Sequence, residues 1–185
     1  MAQASFDAYM LPRHIGLYAG VPIETPAILV QRVCGTGFEL IAQAADALTL
    51  GKCDLVLCVG TESMTRNPIA AYSHRTGFRL GQVEFKDFLW EALLDPAAGC
   101  TMGEIAENLA RKYEITRQEV DAFAASSFAR AAAAQQAGFL AGEIVPVVSE
   151  SFELSGYSPR GIRLDRSLKE FAADSHIRPT SLEGL

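Results

Sequence analysis

Apolar residues in this chain fall into runs of two different periods. Ala27 to Val33 is a β-rich apolar run, and Leu55-Val56-Leu57-Cys58-Val59, bounded by Asp54 and Gly60, is a second. Between them Phe38, Leu40, Ile41, Ala44, Ala45, Ala47 and Leu48 recur at helical spacing up to Gly51, a helix C-cap residue type. The pattern predicts a strand over 27–33, a helix over 34–50 and a strand over 55–59. An apolar run without alternation marks a strand covered on both faces. Strand, helix, strand in that order predicts a βαβ unit with a right-handed crossover and a parallel sheet.

The rest of the chain is more helical. Pro12, Ile15, Leu17, Tyr18 and Ala19 predict a helix within residues 1–20, closed by Gly20. Residues 60–99 lack one clear period, although Phe85, Phe88, Leu89, Trp90, Leu93 and Leu94 predict an amphipathic helix ending before Pro96. Ile105, Ala106, Leu109 and Ala110 define the inner face of a helix over 102–113. A second helix opens at Thr116, with Glu119 as its capping-box partner and Val120, Phe123, Ala124, Phe128 and Ala131 as its stripe; Gly138 follows its end. Ile144 to Val148 predicts a short strand, which Pro146 makes an edge or irregular one. Residues 149–185 are polar and turn-rich.

Composition narrows the picture. At 185 residues, with 49% hydrophobic and 21% charged positions, the chain is one globular domain or one domain with a sub-domain. A net charge of −6 argues against a surface built for nucleic acid or anionic lipid. Ser73 to Arg79 is a local basic patch, as readily a solvated loop as a ligand contact. The four cysteines, Cys34, Cys53, Cys58 and Cys100, are scattered and form no disulfide framework. Cys53 and Cys58 are five apart, on opposite faces of a strand, which argues against a shared metal. These features lead us to expect a reduced, cytoplasmic protein without a membrane span.

Cys34 is the candidate nucleophile. Free cysteines are mostly small buried hydrophobes. This one stands between a predicted strand and a predicted helix, where the helix N-terminus favours thiolate over thiol. Gly35 and Gly37 would let the backbone turn tightly and a substrate approach, and a backbone N–H there could hold an oxyanion. Gly35-Thr36-Gly37 also has two glycines of a dinucleotide fingerprint, but Leu40 stands where the third belongs.

Several motifs in order resemble the thiolases, the acyl-CoA C-acyltransferases. Val33-Cys34-Gly35-Thr36-Gly37 resembles their V-C-x-S/T-G nucleophile turn, and Val59-Gly60-Thr61-Glu62-Ser63-Met64-Thr65 their G-G-x-E-S-M-S segment. Met102 to Ala110 is similar to the M-G-x-T-A-E-N helix, and Ile115 to Ala124 to the I-T-R-E-E-Q-D-x-F-A segment. Glu143 to Val147 matches E-I-V-P-V, and Ile177 to Glu183 resembles R-P-x-S/T-x-L-E. A ketoacyl synthase has a similar cysteine after a similar strand, but the Met102–Ala110 helix and the loop segments argue against it.

The resemblance implies a partial thiolase-type α/β layered fold, with a parallel-rich sheet and a buried nucleophile helix. Residues 1–68 would be part of the N-terminal core and 69–185 an inserted, mostly helical loop domain, with the C-terminal thiolase domain absent. It implies acyl transfer to and from coenzyme A through an acyl group on Cys34, either thiolysis of a 3-ketoacyl-CoA or condensation of acetyl-CoA. Met102 would line the acyl and pantetheine tunnel, and Leu89 would touch the coenzyme. Thr101 stands where biosynthetic members often carry a histidine. Coenzyme A thioesters would be substrates, with no resident cofactor and no metal, and the family implies a homo-oligomer. The family's G-H-P histidine and N-E-A-F asparagine do not occur; the histidines are His14, His74 and His176, in other contexts. The alternative expectation is therefore a truncated, catalytically incompetent fragment, or a subunit whose partner supplies the second half.

Overall fold

The computed structural model describes residues 8–72, 74–178 and 180–185. The chain divides into two compact units, with the division along the sequence between Met102 and Gly103. Within the first unit Phe88 N–H donates to Pro68 C=O at 3.1 Å, folding the segment after residue 68 back onto it.

The first unit opens with a 3₁₀ turn at Ala8–Met10 and α1 (Leu11–Tyr18), with Pro12 in the first turn as predicted. Ala8 and Leu17 are its buried apolar residues. A 3₁₀ turn at Val33–Gly35 leads into α2 (Thr36–Thr49). α2 ends where predicted: Gly51 takes a φ of +64°, open to glycine at no steric cost, and Lys52 N–H donates to Ala47 C=O at 3.0 Å. β1 (Ile69–Ala70) pairs antiparallel with β2 (Lys86–Asp87), which runs directly into α3 (Phe88–Ala92). β3 (Leu94–Asp95) pairs with β4 (Cys100–Thr101) in a hairpin, and α4 (Met102–Lys112) follows at once.

Two expectations fail here. Residues 27–33 and 55–59 form no strand ladder, and the sheets among the described residues are two-stranded and antiparallel. Leu55 and Leu57 are 87% and 78% exposed. The reason is physical: a run apolar on both faces is a strand only when neighbours bond both its edges and layers cover both faces. Within these residues nothing does so. The helix after Cys34 is likewise not buried. No residue of α2 is buried, and Phe38 is 84% exposed. The 55–59 segment does touch α2 at one point, where the Cys58 thiol lies 3.7 Å from Leu40 C=O.

In the second unit α5 (Arg117–Gln136) follows Thr116, whose capping box with Glu119 is fully formed. Ala124, Phe128 and Ala131 are half-buried, as the stripe predicts, whereas Val120 and Phe123 are exposed. β5 is only Val147–Val148, beginning after Pro146, and pairs with β8 (Glu170–Phe171). β6 (Glu150–Phe152) pairs with β7 (Arg160–Ile162), opposing Ser151 to Gly161. The region from residue 69 is thus helices interleaved with small hairpins, and it is not mostly helical as expected. Arg117 donates its guanidinium to Leu185 C=O and pairs with Asp121 at 2.8 Å, tying the start of α5 to the C-terminal 3₁₀ turn.

Candidate active site

Cys34 is the middle residue of the Val33–Gly35 turn and its side chain is exposed. The strain of this turn sits one residue earlier. Val33 has a φ of +48°, the left-handed region that a β-branched residue rarely adopts, at a cost of roughly 1–3 kcal/mol. The two glycines are not what the turn needs. Gly35 has a φ of −86°, a Cβ there would lie 3.9 Å from its nearest neighbour, and one at Gly37 would meet open space. The sequence reading of these glycines as the source of the tight turn is therefore corrected. Their open surroundings remain compatible with close approach by a ligand.

Around Val33 the hydrogen bonds converge. Val33 N–H donates to Gln31 Oε1 at 2.9 Å, and Thr36 O–H reaches Val33 C=O at 2.7 Å. Arg32 N–H donates to Thr36 Oγ1 at 2.9 Å, and Gly35 N–H to Arg32 C=O at 3.0 Å. Just beyond, the Arg32 guanidinium pairs with the Glu39 carboxylate in the first turn of α2. The Glu39 carboxyl is held below its ordinary value first by the Gln43 amide, which donates to it at 2.9 Å, and then by Arg32. A negative charge in the first turn also suits the helix dipole. An open groove of about 450 Å³ lies between residues 28–32 and the Glu39 and Gln43 side of α2; neither Cys34, Leu89 nor Met102 lines it.

Leu89 and Met102 lie at the two ends of one helix–hairpin stretch. Asp87 caps α3, its Oδ1 accepting Leu89 N–H at 2.9 Å and Trp90 N–H at 3.4 Å. Leu89 is half-buried on that helix. The β3–β4 hairpin then returns the chain, so that Met102 N–H donates to Leu93 C=O at 3.2 Å. Asp95 holds the hairpin turn by accepting Ala97 N–H at 2.8 Å and Ala98 N–H at 3.1 Å. Leu89 and Met102 thus share one folded segment, and Cys34 stands on another. Of the basic patch, Ser73 lies outside the described residues and His74–Thr76 forms a 3₁₀ turn. Among the described residues no cluster of three His, Cys, Asp or Glu is placed to hold a metal ion. Sequence reasoning missed Gln31 and the role of Thr36; their spacing around Cys34 was the available signal.

An exposed thiol on a strained turn at the mouth of a helix is the layout of a nucleophile-turn protein of the α/β class. Comparison with known proteins narrows that class. Residues 1–180 match the family described as thiolase, N-terminal domain. The human mitochondrial 3-ketoacyl-CoA thiolase is 36% identical over 185 residues, which is 99% of this chain and 43% of that protein. The acetyl-CoA acetyltransferase of Chromobacterium violaceum is 44% identical over 131 residues, 70% of this chain and 33% of its own length. The crystal structure of the human mitochondrial enzyme in complex with CoA superposes with a TM-score of 0.85 at 36% identity, over 99% of this chain and 42% of that one. The chain belongs to the thiolase family and follows its α/β fold, and it spans between a third and about two-fifths of the length of these relatives.

Proposed function

We propose that this chain carries the acyl-accepting step of a thiolase-type transfer, with Cys34 as nucleophile. The observation that carries the reading is the exposed Cys34 on its strained turn, at the V-C-G-T-G position of a chain that belongs to the family. The Cys34 thiolate attacks the carbonyl carbon of an acyl-CoA thioester. A new S–C bond forms, the C–S bond to coenzyme A breaks, and the departing coenzyme A thiolate takes up a proton. With a 3-ketoacyl-CoA the attack falls on the ketone. The C–C bond then breaks, and its electron pair leaves on the α-carbon of acetyl-CoA, which is protonated.

Leu89 and Met102 would line the acyl and pantetheine side of the site, a reading supported by their shared α3–hairpin segment. Coenzyme A thioesters are the substrates in this reading, with no resident cofactor or metal. The chain would act as an oligomer in a reducing compartment, the cytoplasm by default; the latter is supported by Cys34, Cys53, Cys58 and Cys100 all being free thiols. A second reading narrows the first. His14, His74 and His176 stand in Arg13-His14-Ile15, Ser73-His74-Arg75 and Ser175-His176-Ile177, so the histidine's proton transfer of a full cycle is assigned to none of the three.

The test is peptide mapping by mass after incubation with acetyl-CoA. An acetyl group on Cys34, in preference to Cys53, Cys58 and Cys100, is the expected result. Acetylation spread evenly over the four, or absent from Cys34, would overturn the assignment.

A further inference from the structure

We propose that Gln31 and Thr36 are positioning residues, which clamp the Val33 peptide in its left-handed conformation and thereby aim the Cys34 thiol. The proposal rests on the reading of Cys34 as acyl acceptor and adds to it what holds that thiol in place.

A valine at a φ of +48° keeps that conformation only where its surroundings over-determine it. Here both polar groups of the residue are taken. Its N–H is held by Gln31 Oε1 at 2.9 Å and its C=O by the Thr36 hydroxyl at 2.7 Å. Thr36 Oγ1 and Gln31 Oε1 lie 3.1 Å apart over the turn, and the single hydroxyl hydrogen goes to the shorter contact, Val33 C=O. Thr36 Oγ1 also accepts Arg32 N–H at 2.9 Å, which fixes the Gln31–Arg32 peptide just before Val33.

Thr36 is the first residue of α2, one position past the N-cap, Gly35, where a hydroxyl would serve the helix's free N–H groups. This hydroxyl is turned backwards onto the turn, and the helix N-cap, Gly35, has no side-chain cap bond. The clamp therefore serves the turn. Torsion at Val33 sets the direction in which the next residue's Cα–Cβ bond leaves the backbone. If Val33 relaxed to an ordinary negative φ, the Cys34 sulfur would swing away from its place at the start of α2. A thiol displaced by an ångström loses much of the rate of attack that a positioned one has, while the ligand still binds.

The experiment is the rate of Cys34 acetylation by acetyl-CoA in the full chain, read by mass across acetyl-CoA concentrations, for Thr36→Val, Thr36→Ser, Gln31→Met and the double variant Val33→Gly with Thr36→Val. Far-UV circular dichroism and alkylation of Cys53, Cys58 and Cys100 report folding in the same samples. Thr36→Val is expected to lower the limiting rate about tenfold while the half-saturating acetyl-CoA concentration stays within about twofold. Thr36→Ser keeps the hydroxyl and keeps the rate, and Gln31→Met moves the rate in the same direction as Thr36→Val. The decisive variant is the double one. Glycine takes a positive φ without a clamp, so Val33→Gly should restore most of the rate lost in Thr36→Val, although added glycine gives a general structural defect no relief. Should Thr36→Val fail to fold, Gln31→Met with and without Val33→Gly makes the same comparison. An unchanged limiting rate in both single variants, or a loss that Val33→Gly does not relieve, would overturn the clamp while leaving Cys34 the acyl acceptor. Absence of acetyl from Cys34 in the unsubstituted chain would instead remove the reading on which the clamp rests.

Discussion

Replacing Thr116 by alanine should loosen the start of α5 and little else. The helix has 20 residues, about 30 Å of length, and none of them is buried. Beside the Arg117 contact to Leu185 C=O, its N-terminus is held by capping bonds: Glu119 N–H donates to Thr116 Oγ1 at 3.3 Å, and Thr116 N–H donates to Glu119 Oε2 at 2.8 Å. Loss of such a cap costs about 1 kcal/mol, which is about a fivefold change in an opening equilibrium. Hydrogen exchange of the Glu119 and Val120 amides should therefore show protection factors about fivefold lower in Thr116→Ala, with α4 unchanged. Acid should have a similar effect on the unsubstituted chain. The backbone and then the hydroxyl of Thr116 hold the Glu119 carboxyl below its ordinary value near 4.5. The unfolded chain thus binds that proton more readily than the folded one. The contribution is complete above the ordinary value and is lost as the pH falls through the lowered, folded-state value. Equal protection in Thr116→Ala and the parent at about pH 7, or protection factors in the parent that are the same at about pH 2 as at about pH 7, would refute this account of the helix.

Two further substitutions test other parts of the fold. Gly161→Ala would place a Cβ 2.8 Å from Glu150 C=O, so β7 must shift off β6; a loss of about 1–3 kcal/mol is expected in thermal or denaturant unfolding of that unit, and an unaltered midpoint would contradict the pairing. Asp87→Ala removes the acceptor for the Leu89 and Trp90 amides, and because Trp90 is the single tryptophan, its fluorescence should red-shift and become easier to quench as α3 frays; an unchanged spectrum would show that the cap does not hold α3.

What could be read in the sequence was local. The Thr116 and Glu119 capping box, Pro12 in the first turn of α1, and Gly51 and Gly138 beyond the ends of α2 and α5 all stand where the pattern placed them, because each acts through bonds within a few residues. The runs at 27–33 and 55–59 were read as paired strands because their composition encodes burial. Burial is supplied by other elements, and no described residue pairs with either run. The hairpin of β6 and β7 was missed for the opposite reason: its short, polar segments carry almost no periodic signal. At the candidate site, the cysteine and the turn around it were visible in the motif. The pattern points to the glycines for the tight turn, whereas the positive φ falls on Val33, since nothing in a valine's identity announces it. Such a conformation exists only through the side chains that hold it, here Gln31 and Thr36.

The central claim is that Cys34 takes an acyl group from coenzyme A. Its most direct test is the stoichiometry of free coenzyme A released from acetyl-CoA, followed chromatographically against chain concentration. The account predicts a burst approaching about one equivalent per chain that is absent from Cys34→Ala. Release that is equal in Cys34→Ala, or no burst from the unsubstituted chain, would contradict it.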